Sequence, residues 1–497
     1  MQYYLGSIVR FLMSKGETIV RNKSTPLYDA LAKFAKKRPV SLHVPGHKNG
    51  LYFPSEGMQH FHSILEIDAT ELSGLDDLHS PSGCIEEAQQ LLAELYGSSA
   101  SYFLINGSTV GNLAMILAVC KEDDIVLVQR NCHKSIIHGL ELAGAIPVFL
   151  AAEIDQTSYV PSGIAYETVR AALEQYPRAK AVILTHPNYY GQATDLTAII
   201  ELAHNMDIPV LVDEAHGAHF CLGKPFPKSA LEYGADLVVH SAHKTLPAMT
   251  MGSYLHFNSR LVDQGEVSRY ISMLQSSSPS YPIMASLDLA RFSLACWKES
   301  GTEELQSFII RFRKSLENIR QIKVLSHTNQ DPLKVTIQTR CHLSGYELQG
   351  LFEQRGIYTE LADPYNVLLI LPLHVSEVYL EAVSDLHEVL QQYEAISELN
   401  IPPFMQTDLY SVLPFSYKRL KGYKTRIVSL DRAEGLIAGD MIVPYPPGIP
   451  LIMRGERITK EQIAQWHLLV KSGSRFQGAS YIQEGNIKVY EIEGEEK

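Results

Sequence analysis

Several things are scarce or missing in this 497-residue chain, and each absence narrows its function. Its six cysteines, Cys84, Cys120, Cys132, Cys221, Cys296 and Cys341, are scattered with no Cys-x-x-Cys pair, in a chain too long to depend on disulfide staples. A reduced, cytoplasmic setting is the expectation. No run approaches the ~18 to 20 uninterrupted apolar residues of a membrane span, so no membrane partner is expected. The apolar start around Ile8 to Leu12 is broken by Arg10 and has no small-residue cleavage site, which argues against a signal peptide. Residues 1–24 read as an extension, with Met13 or a later position as the working start.

Basic charge is also short: the formal net charge is -12, which excludes a dominant nucleic-acid footprint and tolerates small basic ligands. There is no Gly-x-Gly-x-x-Gly after an early strand, which disfavours a nicotinamide-dependent dehydrogenase, and no Gly-Lys-Ser/Thr phosphate loop. Internal repeats and low-complexity segments are absent. What remains is 45% hydrophobic and 20% charged, a globular composition long enough for two or three domains.

From about Ser82 the pattern alternates between helix and strand. Ile85 to Tyr96 and Val110 to Cys120 read as helices. Ser101 to Leu104, Ile125 to Val128, Ile146 to Leu150, Ala181 to Leu184, Pro209 to Val212 and Asp236 to Val239 are short, nearly continuous apolar runs. Such runs separated by helical segments predict an α/β fold with a largely parallel, buried sheet and crossover helices. Thr25-Pro26 opens an earlier helix, with Thr25 as the expected cap. Near Leu333 the rhythm changes to that of a small α+β domain. The predicted organisation is therefore extension 1–24, large domain 25–325, small domain 326–395 and C-terminal domain 396–497. The prolines of Val443 to Pro450 forbid a helix or a central strand there.

Ligands of open α/β sheets gather beyond the carboxyl ends of the parallel strands, so the residues after each apolar run are the candidates. After the first come Asn106-Gly107-Ser108-Thr109, where a permissive glycine, two hydroxyls and a helix start suit a phosphate and would equally suit a plain helix cap. After Val212 comes Asp213-Glu214-Ala215-His216. A carboxylate there can cap a helix, bind a metal or pair with a protonated ring nitrogen. After Val239 come Ser241, His243 and Lys244. A lysine is ordinarily solvated, but one desolvated on a ligand rim becomes a nucleophilic amine that forms Schiff bases. Phosphate cradle, ring-nitrogen acid and lysine, in that order, are the anchors of pyridoxal 5'-phosphate (PLP). Zinc on His216, His219, His240 and His243 is the rival. It is disfavoured because His240 and His243, an odd number apart on an extended run, would point to opposite faces; no metal site is expected.

These residues, together with His43-Val44-Pro45-Gly46-His47, Arg130-Asn131-Cys132-His133-Lys134-Ser135, Ser276-Ser277-Ser278-Pro279 and Pro444-Tyr445-Pro446-Pro447-Gly448, carry a likeness to a known family. From about Thr25 to the C-terminus the chain resembles the PLP-dependent ornithine/lysine/arginine decarboxylases of the aspartate-aminotransferase-like fold (PLP fold type I). The resemblance implies that Lys244 is the Schiff-base lysine, His133 the imidazole on the pyridine face and Asp213 the acid at the ring nitrogen. It also implies Gly107, Ser108, Thr109, Ala215, Ser241 and His243 as cofactor contacts. Ser277 and Ser278 match a segment that reaches the phosphate of a partner subunit, which implies a homodimer with shared active sites.

The implied reaction is α-decarboxylation of a basic amino acid, a step toward polyamines. Arginine is favoured over lysine and ornithine because short members without an N-terminal wing domain resemble bacillus-type arginine decarboxylases. The larger members' decamer is not carried over, and His216 stands where they can carry an aromatic residue. A basic substrate needs carboxylates; the candidates are Glu71, Asp76, Asp77 and Asp363. An aminotransferase, an aldolase or a catalytically silent regulatory homologue are the alternatives.

Overall fold

The computed structural model describes residues 23–155, 157–397, 409–445, 450–471 and 473–492. Most of the expected extension and Pro446 to Gly448 lie outside the described residues.

The apolar runs do form strands: β1 (Ala100–Leu104), β2 (Ile125–Gln129), β3 (Ile146–Leu150), β4 (Ala181–Thr185), β5 (Val210–Asp213), β6 (Leu237–His240) and β7 (Ser253–Phe257). They join one eight-stranded sheet in the order β1-β7-β6-β5-β4-β2-β3-β12, where β12 is Tyr410–Val412 from the C-terminal region. Pairs β2–β3, β2–β4, β4–β5 and β5–β6 are parallel. Strand β7 runs antiparallel to both β6 and β1, so β1 points the same way as β6. The carboxyl ends of β1, β2, β4, β5 and β6 therefore open on one edge.

The central parallel strands are largely apolar, as expected where helices cover both faces. Side chains alternate between the two cores with period two. Leu127, Val182, Leu184, Val210, Val212 and Val238 belong to one cluster, and Val126, Val128, Ile183, Leu211, Leu237 and Val239 to the other.

Helix ends are where local reading needs correction. Helix α1 (Pro26–Lys36) starts with proline in its first turn, but Thr25 makes no side-chain cap. Asp288, remote in sequence, accepts the backbone N–H groups of Leu27 and Tyr28 instead. Asp288 is itself paired with buried Arg291, so a tertiary carboxylate replaces the local cap. Helix α2 spans Cys84–Tyr96. Helix α3 runs Gly107–Val119, starting earlier than the expected Val110 because Gly107 adopts φ +80°, which folds the post-strand turn directly into the helix.

The small domain holds β8 (Ile322–Val324), β9 (Lys334–Thr339), β10 (Leu361–Ala362) and β11 (Asn366–Ile370) in an antiparallel sheet of order β10-β11-β9-β8. The boundary expected at 325/326 falls after β8, so the small sheet already begins on the other side of it. The C-terminal region attaches to the large sheet through β12 and keeps its own core around Ile442, Ile452 and Trp466. Pro444 lies in a two-stranded ribbon, Val443–Tyr445 against Arg475–Gln477, an edge position that tolerates a missing N–H. Among the described residues no helix is long and apolar enough to cross a membrane.

Candidate active site

The carboxyl edge of the large sheet converges on one pocket, lined by Ser108, His133, Thr185, Pro187, Tyr189, Asp213, Ala215, His216 and Lys244. Five of the residues singled out from the sequence, Ser108, His133, Asp213, Ala215 and Lys244, thus meet there although they are spread over 137 positions, from 108 to 244.

Asp213 ends β5 and is buried. One carboxylate oxygen accepts the side-chain N–H of Asn112 at 2.9 Å, and the other accepts the backbone N–H of Ala215 at 3.2 Å. Asn112, from α3, also reaches Ser135, tying the acid to helix α4 (Lys134–Ala143). His133 caps α4: its Nδ1 lies 2.8 Å from Ser135 Oγ and accepts the Ser135 N–H. Burial drives its pKa down to about 4, Asp213 opposing and Lys244 adding to the effect. The imidazole is neutral across the physiological range.

The strand-end turn after β6 does not continue extended. It becomes a short helix, α5 (Ala242–Thr245), that carries Lys244. Lys244 Nζ sits 3.1 Å from His216 Nε2 and 5.8 Å from the Tyr189 ring centroid. Desolvation lowers its pKa against the opposing fields of Asp213 and Glu360, the shift a nucleophilic amine needs. The helical turn also corrects the reason for disfavouring zinc. His240 and His243 diverge because the backbone leaves the strand between them. His240 bonds Glu214 and His256, His243 faces the Gly252 carbonyl, His219 bonds Asp331, and His216 is held between two lysines.

Other expected contacts separate. Ser241 donates to Ser108 Oγ at 2.7 Å beside the start of α3. Gly107 shapes that turn without lining the pocket, Thr109 is exposed, and His243 is also outside the lining. Ser277 and Ser278 are exposed, in a loop where Ser276 bonds Asn106 and His79.

None of the four acids expected to meet a substrate lines the pocket. Asp76 accepts the backbone N–H groups of Asp77, Ser82, Gly83, Ile85 and Glu86, capping α2. Burial alone would raise its pKa, yet those N–H groups outweigh it and hold the carboxyl below its ordinary value. Asp77 accepts from His79, and Glu71 from Thr70. Asp363 is bonded by Tyr190 and Asn366, and burial raises its pKa.

The sequence reading missed Tyr189, Thr185, Lys334 and Glu360. Thr185 Oγ1 is buried in the pocket lining without a hydrogen-bond partner, and Glu360 is an exposed carboxylate whose field raises the pKa of both Lys244 and Lys334. The one available signal for Lys334 was a cation opening a strand whose other residues, Val335 to Thr339, are uncharged.

The donor set fits PLP. Ser108, held from behind by Ser241, and the start of α3 form an anion cradle, Asp213 offers a buried acid, His133 a neutral ring, and Lys244 an amine of lowered basicity. Thr185 has an unused hydroxyl facing the same space. A phosphate, a pyridine and an aldehyde would each meet a matching group.

Comparison with known proteins agrees with the geometry. Residues 25–337 match the major domain of the Orn/Lys/Arg decarboxylases, and residues 410–495 match their C-terminal domain. The chain is 48% identical to the uncharacterized protein YaaO of Bacillus subtilis (strain 168), covering 94% of this chain and 98% of that one. It is 34% identical to an arginine decarboxylase of the same organism, covering 91% and 95%. Its fold matches the constitutive lysine decarboxylase of E. coli with a TM-score of 0.78 at 20% identity, over 95% and 82% of the two chains. The chain belongs to the Orn/Lys/Arg decarboxylase family, with PLP as its cofactor and PLP fold type I as its architecture.

Proposed function

We propose that this member of the family removes the α-carboxylate of a basic amino acid, with arginine the favoured substrate, giving the amine and carbon dioxide. The observation that carries the reading is the meeting, in one pocket, of the Lys244 amine, the Asp213 acid and the neutral His133 ring. The likeness to an arginine decarboxylase supports the substrate choice.

When bound, PLP supplies an electron sink for the pair left on the α-carbon. Ser108, Ser241 and the first turn of α3 would hold its phosphate, and Asp213 would keep a proton on its ring nitrogen. Asn112 and the Ala215 N–H fix the direction of that carboxylate, so no reorganisation is needed as charge develops. His133, neutral and locked by Ser135, provides a flat apolar face. Lys244, whose amine lines the pocket, would return a proton to the α-carbon.

Glu360 is the acid offered for the substrate's distal cation in place of Glu71, Asp76, Asp77 and Asp363: it is exposed, and its field reaches Lys244 in the pocket and Lys334 behind it. The product would feed polyamine synthesis in the cytoplasm, a setting suited to six free thiols. The working unit is a homodimer. Ser277 and Ser278 are exposed with only local bonds, and Val40, Leu42, Leu51 and Tyr52 expose a run of apolar surface that a second copy would cover.

The test is carbon dioxide and amine release from arginine, lysine and ornithine by the purified protein, with light scattering for its mass. Fastest turnover of arginine is the expected result. Release from none of the three, or borohydride reduction that labels a lysine other than Lys244, would refute the reaction.

A further inference from the structure

Strand β9 opens with a lysine that is wholly shielded from solvent. Its stem fills space left by Gly191, where an added Cβ would stand 2.6 Å from Lys334 Cγ. Buried lysines are rare unless paired with an acid. Among the described residues, this amine's hydrogen-bond partner is instead a base: Lys334 Nζ lies 2.8 Å from His216 Nδ1. The other ring nitrogen faces Lys244 Nζ at 3.1 Å. One imidazole therefore bridges a buried amine and the half-buried amine of the pocket.

A neutral imidazole has one N–H and one bare nitrogen, and an ammonium group only donates. Burial, followed by the fields of Lys244 and Lys334, drives the His216 pKa well below the ordinary imidazole value, so the ring is neutral. If Lys334 carries the proton, Nδ1 must be bare and Nε2 protonated. That hydrogen points at Lys244, which can accept it only as a free amine. Moving the excess proton to Lys244 reverses every one of these assignments. The surrounding charges set the balance. Asp331 and Glu360 act on Lys334, Asp213 and Glu360 on Lys244, and His133 and His219 on the ring. Burial brings Lys334 down to about 8, within reach of proton exchange.

We propose that Lys334 is a positioning residue that acts through His216, storing the proton while Lys244 is an uncharged amine and returning it when Lys244 must serve as the acid. In the return step a Lys334 Nζ–H bond breaks as the His216 Nδ1–H bond forms. The Nε2–H bond breaks as a Lys244 Nζ–H bond forms. The ring gains and loses one proton, its tautomer flips, and total charge is conserved. Decarboxylation replaces a carboxylate by hydrogen and so consumes one proton per turnover. This use rests on the proposed reaction, whereas the linkage among the three residues does not.

Competitive labelling of the full, cofactor-stripped chain with trace acetic anhydride, followed by peptide mapping over a pH range of about 6 to 11, reads the uncharged fraction of Lys244. Lys334→Met is expected to raise the Lys244 midpoint by about one pH unit, roughly a tenfold loss of free amine at neutral pH. Lys334→Arg keeps a donor but cannot release its proton. It is expected to hold the midpoint near the parent's while slowing turnover by at least about tenfold. On a His216→Phe background, Lys334→Met should move the midpoint no further.

An unchanged midpoint in folded Lys334→Met, or an equal shift with and without His216, would overturn the proposal. Should Lys334→Met not fold, ¹⁵N spectra of the parent's His216 decide: hydrogen on Nε2 at neutral pH supports the linkage, and hydrogen on Nδ1 overturns it. A parent chain that shows this titration yet releases no carbon dioxide retains the linkage and refutes the reaction class alone.

Discussion

Two polar regions of this molecule look alike in sequence and behave in opposite ways. The segment Thr70 to His79 concentrates acids and ends in a histidine, and so does Asp213 to His216. In the first, the carboxylates of Asp76 and Asp77 turn back on neighbouring backbone N–H groups, and that of Asp76 starts α2. In the second, Asp213 and His216 sit at a strand end, are buried, and bond to side chains from other elements. An acid bonded like Asp76, by five backbone N–H groups around its own loop and helix start, has little acceptor capacity left for a ligand. One held by remote partners is oriented toward a shared space, where desolvation shifts the pKa of everything around it.

The sharpest separation of the two regions is by substitution. Lys244→Ala should lower carbon dioxide release by at least about a thousandfold with little change in thermal unfolding. Asp213→Asn keeps the shape but loses the charge, and should cost about a hundredfold to a thousandfold in kcat/KM. Glu360→Gln should weaken KM for basic amino acids by about tenfold with a smaller change in kcat, the loss of one charge-assisted contact. Asp76→Ala should do the reverse of all three, costing about 1 to 2 kcal/mol of stability through the lost cap and leaving the turnover of folded protein unchanged. If Asp76→Ala abolished activity in a folded protein, the contrast between the regions would fail.

Acid unfolding offers the finest test. His133 holds its pKa near 4 in the fold, against an ordinary 6.5, because burial resists the charge. Between those values the unfolded chain binds more protons, so stability rises with pH there and falls on acidification from 6.5 toward 4. Asp76 is depressed below its ordinary 3.8. Its contribution is complete above 3.8 and is lost only as pH falls through the lower folded value. His133→Phe should therefore flatten the upper window of a stability-versus-pH curve, and Asp76→Ala the lower one.

Much of this site was readable before folding because strand ends announce themselves: an apolar run followed by Asp213, or by Ser241 to Lys244, marks a carboxyl edge whatever the helices between do. The helix caps were less readable. Thr25 looked sufficient for α1, yet Asp288, more than 260 positions away, took the role. The substrate acids were less legible for the same reason, since composition identifies a carboxylate but not what already bonds it.

The order of motifs along the chain was enough to determine the α/β class, the parallel rim and the family, and to nominate the PLP anchors, because period-two burial and strand-end chemistry are local properties of the chain. Only the folded arrangement decided that Lys334, from a different sheet, closes on His216 and through it on Lys244. Proton sharing between buried groups depends on distances of about 3 Å between side chains that no sequence pattern brings together.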